Sequence, residues 1–182
     1  MVALIGTPVK RWGKPVIGLW LALWFGLTAA DDLTLAENLA AQCGRAAADN
    51  KVCLVYVSQV GCSFCARLER DVLRPLQNIE AVIAKVLVIE LPWVERSVTN
   101  FKGQRQTTEA LLQDLGVAGA PTLLFLDGQG RVLAKPFIGY QSPDYFWFYF
   151  ERAIHQAQQA LLDGSFWPVS DTLLTLPTPS SV

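Results

Sequence analysis

The chain has 182 residues, 52% of them hydrophobic, and its 15 basic and 16 acidic side chains leave a formal net charge of −1. That length allows one domain with a real core plus terminal appendages. No basic surplus of the kind that neutralises phosphates is present, so nucleic acid is excluded as a partner.

Residues 1–14 carry Lys10, Arg11 and Lys14 and no acid, and residues 15–30 are apolar and uncharged, ending in Thr28, Ala29 and Ala30. This is the layout of a secretory signal peptide cleaved after Ala30, with Asp31 as the new N-terminus. The alternative is a retained anchor, because the apolar run is long for a signal core and slightly short for a spanning helix. Basic residues ahead of an apolar run stay on the cytoplasmic side, so both readings export the remainder. The expected organisation is then a leader over 1–30, one domain over 31–163 and a Pro, Ser and Thr-rich flexible tail over 164–182.

Within the domain, Asp31 and Asp32 precede Leu33, Leu35, Leu39 and an alanine-rich run to Ala48, which predicts a helix stopped by Asp49 and Asn50. The continuous apolar run 52–57 predicts a strand buried on both faces. It leads into Gly61-Cys62-Ser63-Phe64-Cys65, so a CxxC sits where a strand hands over to a helix. Phe64, Leu68, Val72 and Leu76 recur at helical spacing, and Pro75 is expected to bend or end that helix near Leu73. A short helix over 79–84, a strand over 86–89 and a long loop over 93–106 follow; connections of that length are commonly functional or mobile. Thr107, Thr108 and Glu109 cap a predicted helix over 110–115. Residues 122–126 and 132–134 flank the turn Asp127-Gly128-Gln129-Gly130 as an antiparallel hairpin. The last helix runs from Ser142 and Pro143 to Asp163, ahead of Gly164. Alternating helices and strands in the first half argue for an α/β domain with parallel pairing there. In the last helix Phe146, Phe150, Ala153, Ala157 and Leu161 form a core stripe, but the six aromatics 145–150 surround the helix. Tyr145, Trp147, Phe148 and Tyr149 therefore either pack under the long loop or the tail, or form a partner-facing or membrane-facing patch.

Two thiols on the first turn of a helix can reach one another, and the helix start favours the thiolate of the first, which marks Cys62 and Cys65 as a redox pair with Cys62 the nucleophile. The same spacing also serves structural disulfides and half of a zinc site. A structural role is disfavoured because so short a loop restricts little of the unfolded chain. A zinc site is disfavoured because Cys43 and Cys53 make a poor second half, so no metal and no cofactor is expected. Cys43 and Cys53 have the separation to bridge a helix and a following strand, or they remain two buried thiols.

The succession of the 54–57 strand, the CxxC, the 86–89 strand, Gly119-Ala120-Pro121-Thr122, the Asp127 hairpin and Gly139 resembles the thioredoxin superfamily over about 33–160. With Arg67-Leu68 and Asp71-Val72-Leu73 after the motif, it is similar to exported bacterial thioredoxin-related proteins of sulfur-oxidation and cytochrome-maturation systems. The resemblance implies a thioredoxin-like fold with a central mixed sheet of four to five strands flanked by helices. It also implies a cis Pro121 beside the CxxC, with Ala120, Pro121, Ser63 and Phe64 meeting an extended substrate. The implied function is a periplasmic thiol:disulfide oxidoreductase acting on protein or peptide disulfides and fed by a membrane thiol relay. A redox-independent binding module or chaperone is the alternative, and a dimeric isomerase a third. The sequence departs from cytoplasmic thioredoxin at Tyr56, at Gly61 in place of a tryptophan and at Ser63-Phe64 in place of Gly-Pro, and it lacks the histidine that some periplasmic CxxC proteins carry. Tyr56 stands where the central strand of thioredoxin carries an acid, leaving Glu90 or a water as base, and the only histidine, His155, lies far from the cysteines.

Overall fold

All seven residues of one strand, Val52–Ser58, are buried. A computed structural model describes residues 33–167, and in it this strand, β2, lies at the centre of a five-stranded sheet. In chain order the elements are β1 (Thr34–Leu35), α1 (Leu39–Ala48), β2, α2 (Ser63–Leu68), a π-helical turn (Glu69–Leu73), α3 (Arg74–Leu76), α4 (Glu80–Ile83) and β3 (Val86–Pro92). There follow β4 (Ser97–Thr99), β5 (Arg105–Thr107), α5 (Thr108–Asp114), β6 (Thr122–Leu126), β7 (Val132–Ile138) and α6 (Pro143–Asp163). The sheet order is β1-β3-β2-β6-β7, with β1, β3 and β2 parallel and β6 and β7 antiparallel additions. The expected α/β class with a mixed sheet is what the chain forms.

Side chains on a strand alternate between faces, so β2 divides its own residues between two cores. Val52, Leu54 and Tyr56 join Leu68, Val72, Phe125, Phe146 and Phe150 beneath the CxxC helix and α6. Cys53, Val55 and Val57 join Leu39, Cys43, Ile89, Val98 and Leu112 on the side of α1 and α5. In the first core Phe125, Phe137, Phe146 and Phe150 meet with ring centroids 5.1 to 6.2 Å apart, most of them edge-on or tilted, as the ring quadrupoles favour.

Two local expectations are corrected and a third is narrowed. The helix predicted from Leu33 begins at Leu39, because Thr34 and Leu35 pair with Ile89 and Glu90 as β1, and Asn38 caps the helix by accepting the N–H of Ala41. The segment 93–106 is not a bare loop. Its β4 pairs with β5 in a small antiparallel ladder, and Val98 is fully buried in the second core. The Asn100 carboxamide oxygen accepts the N–H groups of Lys102 and Gln104 at the ladder's turn, while its amide donates to Gln106. Pro75 distorts the CxxC helix up to Leu73 and does not end it, so of the two expected effects the chain takes the first. The backbone widens into the π-helical turn just before it, Arg74 N–H reaching Glu69 C=O, and the helix then continues to Leu76. An interior proline lacks a donor and its ring presses on the carbonyl four residues back, so the wide turn falls where it is needed.

The 122–134 hairpin forms as expected and β7 extends it to Ile138; α6 spans the expected residues and ends at Gly164 in a left-handed conformation. In α6 Phe146 and Phe150 are buried, Trp147 is half-buried, and Tyr145, Phe148 and Tyr149 are exposed. Among the described residues no helix is long and apolar enough to cross a membrane. The leader with its cleavage point after Ala30, and nearly all of the tail, lie outside the described residues.

Phe101, at the end of the β4–β5 ladder, lies against Gly130 in the hairpin turn. Gly130 has φ +83°, and a Cβ there would meet the Phe101 ring at 2.5 Å. Gly130→Ala is expected to lower unfolding free energy by about 1–3 kcal/mol, read as a lower urea midpoint at unchanged slope.

Candidate redox site

The site is assembled from three pieces of chain around the carboxyl end of β2. Gly61, with φ +75°, turns the chain out of the strand so that Cys62 becomes the N-cap of α2. Cys62 and Cys65 are joined as a disulfide with their Cα atoms 5.2 Å apart. The Cys65 N–H points at Cys62 Sγ from 3.1 Å, the place a capping oxygen takes at other helix starts. Cys62 is half-buried, whereas Cys65 is 3% exposed, so one sulfur faces solvent and the other the core.

The second piece is the segment before β6. The Ala120–Pro121 peptide is cis, and the Ala120 carbonyl oxygen lies 3.9 Å from Cys62 Sγ. Thr122 Oγ1 donates to the Gly119 carbonyl and Gly139 N–H donates to the Pro121 carbonyl, which fixes this segment against the start of β6 and the end of β7. Pro121 is buried and Ala120 half-buried, while Ser63 and Phe64 are exposed. Ser63 and Phe64 follow Cys62 on the first turn of α2, with Arg67 stacked on the Phe64 ring at 4.8 Å.

The third piece was not foreseen from the sequence. Glu69, one helical turn beyond Cys65, lines the hollow beside the cysteine pair together with Gln59, and its carboxylate accepts a hydrogen bond of 2.7 Å from the Tyr56 hydroxyl. Tyr56 itself is fully buried. Burial above all, then the Glu69 hydrogen bond and the negative charges of Glu69 and Glu90, push the Tyr56 hydroxyl well above its ordinary range, so it remains a donor. Glu90, the base considered from the sequence, pairs across β3 with Tyr56 and accepts from the Ser58 hydroxyl, but it does not line the hollow. The signal for Glu69 was a carboxylate four residues after the second cysteine, on the same helix face.

Cys43 and Cys53 form the second disulfide, between α1 and β2, and both are fully buried. They belong to the core on the other face of the sheet from Cys65, so the four cysteines do not converge on a common metal. His155 is exposed on α6.

A family model described as a thioredoxin-like domain matches residues 39–154. The chain belongs to that family. Among solved structures it is similar to the thioredoxin Mala s 13 of Malassezia sympodialis, with 13% identity over 68% of this chain and 91% of that one and a TM-score of 0.48. It is also similar to Trxlp from Edwardsiella tarda, with 24% identity, coverage of 64% and 97% and a TM-score of 0.46. For the reduced periplasmic thioredoxin SoxS of Paracoccus pantotrophus the values are 22%, 59% and 99%, and 0.42. No curated protein sequence matches the chain. A thioredoxin-like domain whose cysteines stand in two pairs at disulfide distance points to thiol–disulfide redox function.

The buried tyrosine has a measurable consequence. In the unfolded chain Tyr56 releases its proton near pH 10, whereas in the folded protein it keeps it, so folded protein binds more protons above that pH and stability falls as pH rises. Tyr56→Phe is expected to remove a fall of about 1 kcal/mol in unfolding free energy between pH 10 and 11. Parallel urea titrations of the two proteins across that range measure it.

Proposed function

We propose that this thioredoxin-like protein is an exported thiol:disulfide oxidoreductase that reduces disulfides of periplasmic proteins through Cys62 and Cys65. The observation that carries the reading is the division of the pair, with Cys62 capping the helix at the surface and Cys65 buried behind it. In the reduced protein the Cys65 N–H and the helix start favour the Cys62 thiolate. That thiolate attacks a substrate disulfide, forming a mixed disulfide and releasing one substrate thiolate. Cys65 then attacks Cys62 Sγ, the Cys62–substrate bond breaks, and the second substrate thiolate leaves. Two electrons pass to the substrate and the Cys62–Cys65 disulfide is formed.

The free edge of Ala120 and Pro121, with Ser63 and Phe64 opposite, offers an extended segment a seat beside Cys62 Sγ, and backbone pairing there needs no particular side chain. Electrons would be restored by a membrane thiol relay. The basic and apolar layout of residues 1–30 supports export, with cleavage after Ala30 or retention as an anchor. No charged side chain lies within the CxxC dipeptide to drive the potential strongly oxidising, which favours a reductant.

A second reading rests on one observation. A groove of about 600 Å³ runs between β7 and α6, lined by Ile138, Tyr145, Tyr149 and Trp167 among others, with Ile138 77% and Tyr145 61% exposed. Such a surface fits a binding module or chaperone on a thioredoxin scaffold. That role predicts partner binding that survives loss of both active cysteines.

The purified protein is expected to reduce insulin disulfides with dithiothreitol as donor, Cys62→Ser to abolish this, and Cys65→Ser to accumulate a mixed disulfide. Intact activity in Cys62→Ser would sink the redox reading. Equilibration with glutathione is expected to give a potential near or below the thioredoxin value of about −270 mV; a value near −120 mV would make the protein an oxidant instead. Fractionation of cells expressing the full chain is expected to find it outside the cytoplasm.

A further inference from the structure

Resolution of the mixed disulfide needs a Cys65 thiolate, yet Cys65 is buried and its N–H already faces the other sulfur. Its proton must go to a group within reach. Among the residues that line the hollow beside the pair, Glu69 is the one ionisable side chain besides the cysteines. The Glu69 N–H bonds to the Cys65 carbonyl, so the two residues stand one above the other on consecutive turns. The hollow measures about 370 Å³, room for bridging water between carboxylate and thiol.

Tyr56 fixes one carboxylate oxygen from below with its 2.7 Å hydrogen bond to Oε1, and Oε2 takes no side-chain donor among the described residues. We propose that Glu69 is the proton acceptor for Cys65, and that Tyr56 is the positioning residue that holds the carboxylate beside the pair. This deepens the redox reading above and rests on it. The Cys65 S–H bond breaks and its proton passes to Glu69, directly or through one water. The sulfur electron pair forms the bond to Cys62 Sγ, the bond from Cys62 to the substrate sulfur breaks, and the substrate thiolate departs with that bond's electrons. Glu69 then releases the proton to solvent. In the reverse direction, when a donor reduces the pair, protonated Glu69 returns it to Cys65.

Tyr56 supplies a neutral, buried hydroxyl from β2, and the acid comes from the helix instead. The other charged group acting on Tyr56 is Glu90 from β3, while Arg67, Arg70 and Asp71 on the same stretch of helix and turn act on Tyr140.

The test separates attack from resolution. Reduced protein mixed with one equivalent of a chromogenic aromatic disulfide, 5,5′-dithiobis(2-nitrobenzoate), releases one aromatic thiolate when Cys62 attacks and a second when Cys65 resolves. Glu69→Gln keeps the shape and the acceptor for Tyr56, so its fold is retained. Its first phase is expected within about twofold of wild type, and its second phase about 10²-fold slower at pH 7 and rising tenfold per pH unit, as hydroxide alone removes the proton. Tyr56→Phe is expected to slow the second phase about tenfold, and Glu69→Asp to recover part of the rate lost in Glu69→Gln. A Glu69→Gln second phase at the wild-type rate, or equal slowing of both phases, overturns the proposal while leaving the redox reading in place. Absence of the first phase in wild type overturns the redox reading itself.

Discussion

Burial of β2 on both faces is the constraint from which the remaining architecture follows. A strand with no solvated side must be covered by a layer above and a layer below, and its neighbours on both edges must complete the hydrogen-bond ladder. The parallel partner β3 returns through the CxxC helix on one face, and the antiparallel partner β6 arrives from α5 on the other side of the sheet. Because β2 cannot move relative to either layer without opening a core, its carboxyl end is a fixed point. Cys62 is placed at that point, four residues past the last ladder residue, with Gly61 absorbing the turn.

The site combines a rigid floor with a polar group held at its edge. Tyr56, inside the strand, has no freedom to follow Glu69, so the hydrogen bond localises the carboxylate and not the reverse. Loss of an alternative partner for a buried hydroxyl costs about 1–3 kcal/mol, which is enough to keep Glu69 turned toward the strand when solvent competes for it. The π-helical turn beginning at Glu69 has a double origin in this view. It relieves Pro75, and it begins at the residue whose side chain must point inward.

Much of this was legible in the residues. The uninterrupted run before the CxxC carried the central strand, the Asp127 to Gly130 turn carried the hairpin, and the order of the two motifs carried the fold class. The cysteines, Ala120 and Pro121 were recognisable because backbone geometry ties them to short motifs. The misses share a physical reason. β1, β4 and β5 are strands of two or three residues whose pairing is decided by partners distant in sequence, and Arg105, Gln106 and Thr107 show no alternation to announce it. Leu33 and Leu35 fell into register with the true helix by coincidence of spacing, while the cap that starts it, Asn38, is polar and short. Glu69 sits among the charged residues of an amphipathic helix, and nothing local to it reveals a tyrosine hydroxyl thirteen residues earlier on the adjoining strand.

The placement of the two disulfides on opposite faces of one sheet also bears on electron stoichiometry. Thiol–disulfide exchange proceeds only by contact of a thiolate with a sulfur, and a closed layer of paired backbone lies between Cys65 and the Cys43–Cys53 bridge. A donor docking at Cys62 therefore meets a single exchangeable bond. In the proposed cycle the folded molecule would hold one electron pair at a time, and the fully buried bridge between α1 and β2 would stay outside the circuit as part of the scaffold.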